Sequence, residues 1–339
     1  FFQESYTKSK KILEKALFIN SNNYEAKIIL FYLSIIEKDL QNAWKNFSAR
    51  IYTKKYFIPF NLSTSNKIEN KKILILREAG LGDEVLYSSM YKELININQN
   101  VIIECDPRLK NIFKRSFKYN NFVKKSALIT KKSNLNKFDI SIYAGSLCNI
   151  FRNKFSTFNY NKFLQPNLKL SQKYYKKLNN INNYPKIGIS WISKRTDIGK
   201  DKSIDLIKLL PIFKKKKLSF VNLQYGIHEK TIKNFNKKNN VNIIDFEKMD
   251  KFKDIEELLA LINSLDLVIT VSNTTAHLSG SIGKKTLLLA PNNRAQLFYW
   301  MFYKNKTPWY PSINIIKKNK NWNEAIQKIN INLDKIFKN

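Results

Sequence analysis

Only two cysteines, Cys105 and Cys148, occur in 339 residues, too few for a disulfide framework, and their usage fits a reducing compartment. Neither has metal-ligating neighbours. Histidine is as scarce, with His228 in a polar stretch that reads as exposed and His277 elsewhere, so a zinc site lacks a ligand set. No Asp-x-Asp pair stands beside a candidate strand, so a divalent cation between protein and a diphosphate is not indicated. The expectation is of no metal and no resident cofactor. No window approaches a run of about 18 apolar residues, and the start, FFQESYTKSKK, lacks the apolar core and cleavage site of a signal peptide. These absences set a cytoplasmic location as the expectation. Because residue 1 is Phe rather than Met, a longer parent protein is a further expectation.

Acidic residues are also few. Against 60 Lys and Arg there are 26 Asp and Glu, a formal charge of +34 that invites a nucleic-acid reading through phosphate neutralisation. The excess is mostly Lys, spread from Lys8 to Lys338 alongside abundant Asn and Ile, and reads as a bias in residue usage along the whole chain. A surface that favours an anionic partner is the alternative. The aromatics fall in core patterns rather than on an exposed basic platform, which argues against nucleic acid.

Residues 5 to about 53 carry apolar residues at helical spacing in three groups: Ile12, Leu13, Ala16 and Leu17; Ala26, Ile29, Leu30 and Leu33; Leu40, Ala43, Trp44 and Phe47. Asn20–Asn23 and Asp39 mark the breaks, Asp39 as a cap. Residues 1–60 thus form a helical segment with tetratricopeptide-like spacing or a plain helical cap, either able to recruit a protein partner. Tyr56–Lys71, with Pro59, reads as a linker.

From there strands and helices alternate. Lys72–Leu76, Val101–Glu104, Phe122–Val123 and Phe138–Tyr143 are the candidate strands of a first domain over 71–180, with helices at Glu84–Ile95 and from Pro107 to about Phe113. Tyr143–Pro166 yields no clear element, and a helix at Ser171–Asn180 leads to a boundary at Asn179–Pro185. A second domain over 185–320 has strands at Ile187–Trp191, Ser219–Leu223, Val241–Asp245, Leu267–Val271 and Thr286–Leu289. A terminal helix over 321–339 is expected to pack back on the first domain. Two open parallel sheets in succession, with Rossmann-like alternation, imply an α/β fold with a ligand cleft between their carboxyl edges.

The chain is organised around Asn263–Pro291, NSLDLVITVSNTTAHLSGSIGKKTLLLAP: strand, polar turn, helix, strand. The turn Ser272-Asn273-Thr274-Thr275 stands at a helix N-terminus, where unpaired amides and the helix dipole stabilise an anion such as a diphosphate. His277 follows on the helix, either to donate to a phosphate or sugar or as a half-buried histidine bonded within its own domain. The basic loop Ser190–Ser203 offers Lys202 and Arg195 to offset charge on a departing nucleoside diphosphate, or simply solvated charge. Gln224 and the backbone near Gly226 read either a base or ribose edge or a turn. The aromatics Phe298–Phe302 after Arg294 either wall a nucleotide pocket or pack.

In the first domain, Arg77-Glu78-Ala79-Gly80-Leu81-Gly82-Asp83-Glu84 follows a strand. Gly80 and Gly82 permit a tight turn and close approach of backbone to ligand, although GLGD lacks the third glycine of a dinucleotide fingerprint. Asp83 is either a helix cap or the general base for an acceptor hydroxyl. Glu78 and Glu84 are neighbours able to substitute, unless Glu78 pairs with Arg77. Asp106 caps the helix that Pro107 opens, and Arg108 faces an anionic acceptor or forms a salt bridge.

REAGLGDEVLYSSM and IIECDPRLKNIFKRSF, taken with DLVITVSNTTAHLSGSIGKKTLLL and TPWYPSINII, resemble bacterial tetratricopeptide proteins with a C-terminal glycosyltransferase module. That module is similar to the heptosyltransferases of lipopolysaccharide assembly, glycosyltransferase family 9, and the likeness spans roughly residues 40 to 338. The resemblance implies a GT-B-like pair of Rossmann-like domains facing across a cleft, and an inverting, metal-independent transfer from a nucleotide diphosphate sugar. The acceptor would be a glycan, a lipid-linked saccharide or a protein. It also implies Asp83 as base, Lys202 (or Lys200) as the donor-domain lysine, Ser272–Thr275 as the diphosphate turn and His277 as the family histidine. At one turn the chain departs: heptosyltransferases carry Asp-Thr-Gly where this sequence has Ser272-Asn273-Thr274, which removes a contact expected in heptose transfer.

Overall fold

The computed structural model describes residues 2–54, 56, 62–63, 67–124, 137–159, 162–226, 229–293, 295–318 and 321–337. His228, Arg294 and half of the expected linker, Pro59 included, lie outside the described residues. The chain forms two compact units, one of residues 1–107 and 119–159, the other of 108–118 and 160–339.

The first unit opens with helices Phe2–Ile19, Tyr24–Glu37 and Leu40–Phe47, then a turn of helix at Arg50–Thr53. Asn23 caps the second through Ala26 N–H at 3.0 Å, and Asp39 caps the third through Asn42 N–H at 3.2 Å. Phe31, Trp44 and Phe47 are buried together, with Phe31 stacked on Phe47 at 4.6 Å between centroids. The first helix differs from expectation, since its apolar residues are not buried and Ile12 is 67% exposed.

Four parallel strands follow: β1 (Ile73–Leu76), β2 (Val101–Cys105), β3 (Phe122–Lys124) and β4 (Ile140–Tyr143), in the order β3-β2-β1-β4. Their mainly apolar residues, unbroken in β1, suit strands covered on both faces. Ile73 pairs with Val101 on one side and Ile140 on the other. The single helix expected over Glu84–Ile95 is two, Leu81–Ser88 and Tyr91–Ile97. Ser88 turns its hydroxyl back to the Val85 carbonyl at 2.8 Å, a bond that competes with helix continuation. Tyr143–Pro166, unassigned above, contains a short helix at Leu147–Phe151. Cys105 and Cys148 are free and buried.

The second unit holds β5 (Lys186–Ser190), β6 (Ser219–Asn222), β7 (Ile243–Ile244), β8 (Leu267–Val271), β9 (Thr286–Ala290) and β10 (Ile313–Lys317), all parallel, in the order β10-β9-β8-β5-β6-β7. Two expectations need correction. Helix Leu168–Asn179 belongs here, not to the first domain: Tyr174 and Leu178 are buried, and the Tyr174 hydroxyl donates to Glu257 at 2.8 Å. The boundary therefore falls near 159–160 rather than 179–185. The terminal helix Trp322–Phe337, expected against the first domain, packs within the second unit. Its apolar face, Trp322, Ala325, Ile326, Ile329 and Leu333, is buried in one core with Ile187, Leu209, Ile212 and Phe213 of the second unit.

Ile329, wholly buried, tests this placement. Ile329→Ala is expected to cost about 2–5 kcal/mol of unfolding free energy in urea. A change within about 0.5 kcal/mol, the size typical of an exposed site, would contradict it.

Candidate functional site

In each sheet the strand order reverses once, between β1 and β4 in the first and between β5 and β8 in the second. Ligands of open parallel sheets enter at the carboxyl ends of the strands where such a reversal opens a crevice. Several of the residues singled out by sequence collect at these two points.

At the second reversal, β8 runs into Ser272 and Asn273, and helix Thr274–Ser281 begins. Asn273 is its cap. The side-chain oxygen accepts from Thr275 N–H at 3.0 Å, and its amide donates to the Ser190 hydroxyl at 2.8 Å and the Ile192 carbonyl at 3.1 Å. Gln224, from the end of β6, completes the lattice: its oxygen accepts from the Ser190 hydroxyl and the amides of Trp191 and Ile192, and its nitrogen donates to the carbonyls of Ile192 and Tyr225. Of the two readings of Gln224, its contacts match the turn, since both ends of the amide are already bonded. Ser272 likewise accepts the Trp300 indole N–H at 2.9 Å. Ser272 and Asn273, expected as diphosphate ligands, have side chains that hold the turn together, because an amide here bridges two strand ends that would otherwise leave polar groups unpaired.

What remains at the helix start is Thr274, half-buried, and Thr275, whose buried hydroxyl has no hydrogen-bond partner among the described residues. His277 lies one turn along. Its Nδ1 bonds the Tyr310 hydroxyl at 3.0 Å, and its ring packs against Tyr299, Trp300 and Tyr310. Burial first, and the ammonium of Lys202 second, push its pKa down from 6.5 to about 3, so the imidazole is neutral. Lys202 ends the short helix Gly199–Lys202 and is buried. The structure thus brings Lys202, His277 and the Thr274–Thr275 start into one neighbourhood. Arg195 is placed otherwise: it is exposed and grips Asp197 with Nε and Nη2, at 2.7 and 2.9 Å. The aromatics after β9 pack, with Trp300 and Tyr310 wholly buried.

At the first reversal the sharp bend is made not by Gly80 or Gly82 but by Ala79, at φ 56. Gly80 is extended at φ −99, ψ 174 and caps helix Leu81–Ser88, within which Gly82 lies. Asp83 reaches back to accept Gly80 N–H at 3.2 Å, the capping half of its two readings. Glu84 is buried, bonded to Arg77 and to Asp106 N–H, and burial pushes its pKa up to about 7 against the pull of Arg77. Asp106 accepts from Arg77 at 3.0 Å, and the helix that follows begins at Lys110 rather than at Pro107. Arg108 donates to the Phe252 carbonyl at 2.9 Å and stacks on that ring. Glu78 pairs not with Arg77 but with buried Arg50, at 2.7 Å.

Beside that pair lies a cavity of about 400 Å³ lined by Gln41, Trp44, Lys45, Ser48, Gly145, Ser146 and Asn149. Sequence reasoning missed Arg50, and it named Ser190, Trp300 and Tyr310 only within longer stretches, without the partners they bond. No local pattern marks them; only the order of strands places them at the two crevices. Among the described residues no group of three or more His, Cys, Asp or Glu is arranged to hold a metal ion, and no helix is long and apolar enough to cross a membrane.

No family model matches the chain. It is 26% identical over 275 residues to Protein FlbA of Caulobacter vibrioides, covering 76% of this chain and 45% of that protein, so it spans less than half of that relative's length. Among solved structures it is similar to a glycosyl transferase family 9 protein from Veillonella parvula, with a TM-score of 0.54, 12% identity and coverage of 78% of this chain and 92% of the other. The ADP-heptose lipopolysaccharide heptosyltransferase II of E. coli follows at 0.52 and 10%, covering 77% and 98%. At such identities the likeness is one of fold. The fold is GT-B-like, α/β with two sheet-containing units, and an all-helical segment precedes it.

Two titrations test the site. The His277 ring protons are expected to stay unshifted in NMR spectra from pH 5 to 8, and a midpoint near the ordinary 6.5 would show the ring to be exposed. Glu84 retains a proton in the folded protein that the unfolded chain loses, so stability falls as pH rises from 4.5 through about 7. The unfolding free energy of wild type minus that of Glu84→Gln should decline over that window, and a flat difference would contradict the buried carboxyl.

Proposed function

We propose that this chain is an inverting glycosyltransferase that moves a sugar from a nucleotide diphosphate sugar to a hydroxyl acceptor without a metal ion. The observation that carries the reading is the reversal between β5 and β8, where a helix N-terminus, an orphaned Thr275 hydroxyl and a buried lysine beside a neutral histidine come together in a GT-B-like fold. Such an arrangement suits a diphosphate: amide dipoles and one ammonium attract it, and a neutral His277 adds no further fixed charge.

In this reading Asp83 takes the proton of the acceptor hydroxyl. The oxygen attacks the anomeric carbon from the face opposite the diphosphate, the carbon–oxygen bond to the donor breaks, and the nucleoside diphosphate leaves with the electron pair. Lys202, the Thr274 and Thr275 start of the helix, and Arg195 if it releases Asp197, offset the charge that develops on the leaving group. Gly80 and Gly82 bring backbone near the acceptor. The acceptor is a glycan, a lipid-linked saccharide or a protein. The solved relatives include an ADP-heptose enzyme, but the Ser272-Asn273-Thr274 turn argues for a different sugar.

One observation favours a second reading. The side chains of Ser272, Asn273 and Gln224 are all engaged within the protein, as suits a GT-B-like binding or scaffold protein without turnover. Calorimetry with UDP, GDP and ADP separates the readings, and the transferase predicts that one of them binds. Lys202→Met should weaken that binding about 10- to 100-fold, the scale of one charge-assisted hydrogen bond. Asp83→Asn should keep nucleotide affinity and lose sugar transfer. Absence of binding by all three nucleotides would sink the transferase.

A further inference from the structure

The crevice at the reversal between β1 and β4, where an open sheet usually receives its ligand, holds an arginine from outside the sheet. Arg50 lies on the helical turn Arg50–Thr53 that ends the N-terminal helical segment, and it is 2% exposed. Its Nε and Nη2 grip Glu78 at 2.8 and 2.7 Å, Nη2 also donates to the Ser146 hydroxyl at 3.1 Å, and Nη1 donates to the Phe47 carbonyl at 3.1 Å. The guanidinium lies 4.1 Å from the centroid of the Phe47 ring. Glu78 in turn accepts the Gly145 N–H. A Cβ on Gly145 would stand 2.8 Å from Glu78 Oε1 and 2.9 Å from Arg50 Nη2, so the bare glycine is what admits the pair.

Three separate pieces of chain meet at this one buried contact: the helical segment, the turn after β1 and the loop after β4. Glu78 is the first fixed point of the turn. Ala79 then bends at φ 56, Gly80 extends, and Asp83 locks back onto Gly80 N–H. Each of these steps is measured from Glu78.

We propose that Arg50 is a positioning residue for Asp83, acting through Glu78, and that the helical segment is a built-in part of the first sheet's active turn rather than a detachable module. The activity arm of this inference rests on Asp83 being the base; the structural arm does not. A planar fork is needed, because a lysine supplies the charge but cannot hold both carboxylate oxygens and Ser146 together.

The test uses the full chain with Arg50→Lys and, as a milder variant, Ser146→Ala. Amide hydrogen exchange is read over residues 77–84, elsewhere in the first unit and over Thr274–Ser281. The expected result is exchange at least about 10-fold faster at 77–84 than the change elsewhere in the first unit, with Thr274–Ser281 unaltered. Where transfer is measured, turnover should fall about 10- to 100-fold with the donor KM unchanged, the cost of a misplaced reacting group. Unchanged exchange at 77–84 in both variants, or equal acceleration across the whole first unit in both, would overturn the proposal. If the wild-type chain transfers no sugar, the transferase reading falls while the exchange result still decides the role of Arg50.

Discussion

The amide of Asn273 is the contact on which the second unit's crevice depends. Parallel strands leave their carboxyl ends with unpaired backbone groups, and where the strand order reverses two such ends lie side by side with no crossover to cover them. Asn273 spans the gap. One side chain caps the helix after β8 and ties it to Ser190 and Ile192 after β5, while Gln224 fastens the same loop from β6. The helix start is therefore held in place by the protein before any ligand arrives, which lowers the ordering cost of binding an anion there. The same economy limits the chemistry: side chains engaged in holding the turn are not free to hold a ligand.

The first unit solves the equivalent problem with charge. Arg50 and Glu78 are both buried, and each would be costly alone, but together with Ser146 and the Gly145 amide the charged groups are bonded on several sides. A buried pair of this kind is a poor source of net stability and a good source of specificity, since only one arrangement satisfies both partners. The consequence is that the turn bearing Asp83 is referenced to a residue in the helical segment. Arg77, Glu84 and Asp106 form a second charged group on the other side of the same turn, at the ends of β1 and β2.

Much of this was legible in the residues. Every described strand except β10, which was read only as a lead into the final helix, overlaps a mainly apolar run, because parallel strands covered on two faces need no alternation and so stand out as blocks. The Asp39 cap, the Asp83 position at a helix start and the helix carrying His277 were equally local signals. What was not legible is what depends on the order of strands. Arg50 lies 28 residues before Glu78 in the chain, and Ser190 lies 83 before Asn273. The terminal helix was misplaced for a related reason: its apolar face shows that it must be covered, and nothing in its own pattern says by which sheet. Ala79 marks the opposite failure, in which two neighbouring glycines drew the bend to themselves while an alanine carries the positive φ.

The departure at Ser272 changes the electrostatics of the site as well as its contacts. Where the heptosyltransferase-like turn would carry a carboxylate, this chain has a hydroxyl that accepts the Trp300 indole N–H, so the turn itself is neutral. The ammonium of Lys202 lies near enough to depress the pKa of His277, and burial weakens the solvent screening between them. With no acid at the turn, less of that positive field is cancelled locally, and the helix dipole adds to it. A site so biased attracts anions more strongly than one with an acid at the same position. In the transferase proposed above, affinity would then reside chiefly in the diphosphate, and discrimination between sugars would fall to other residues.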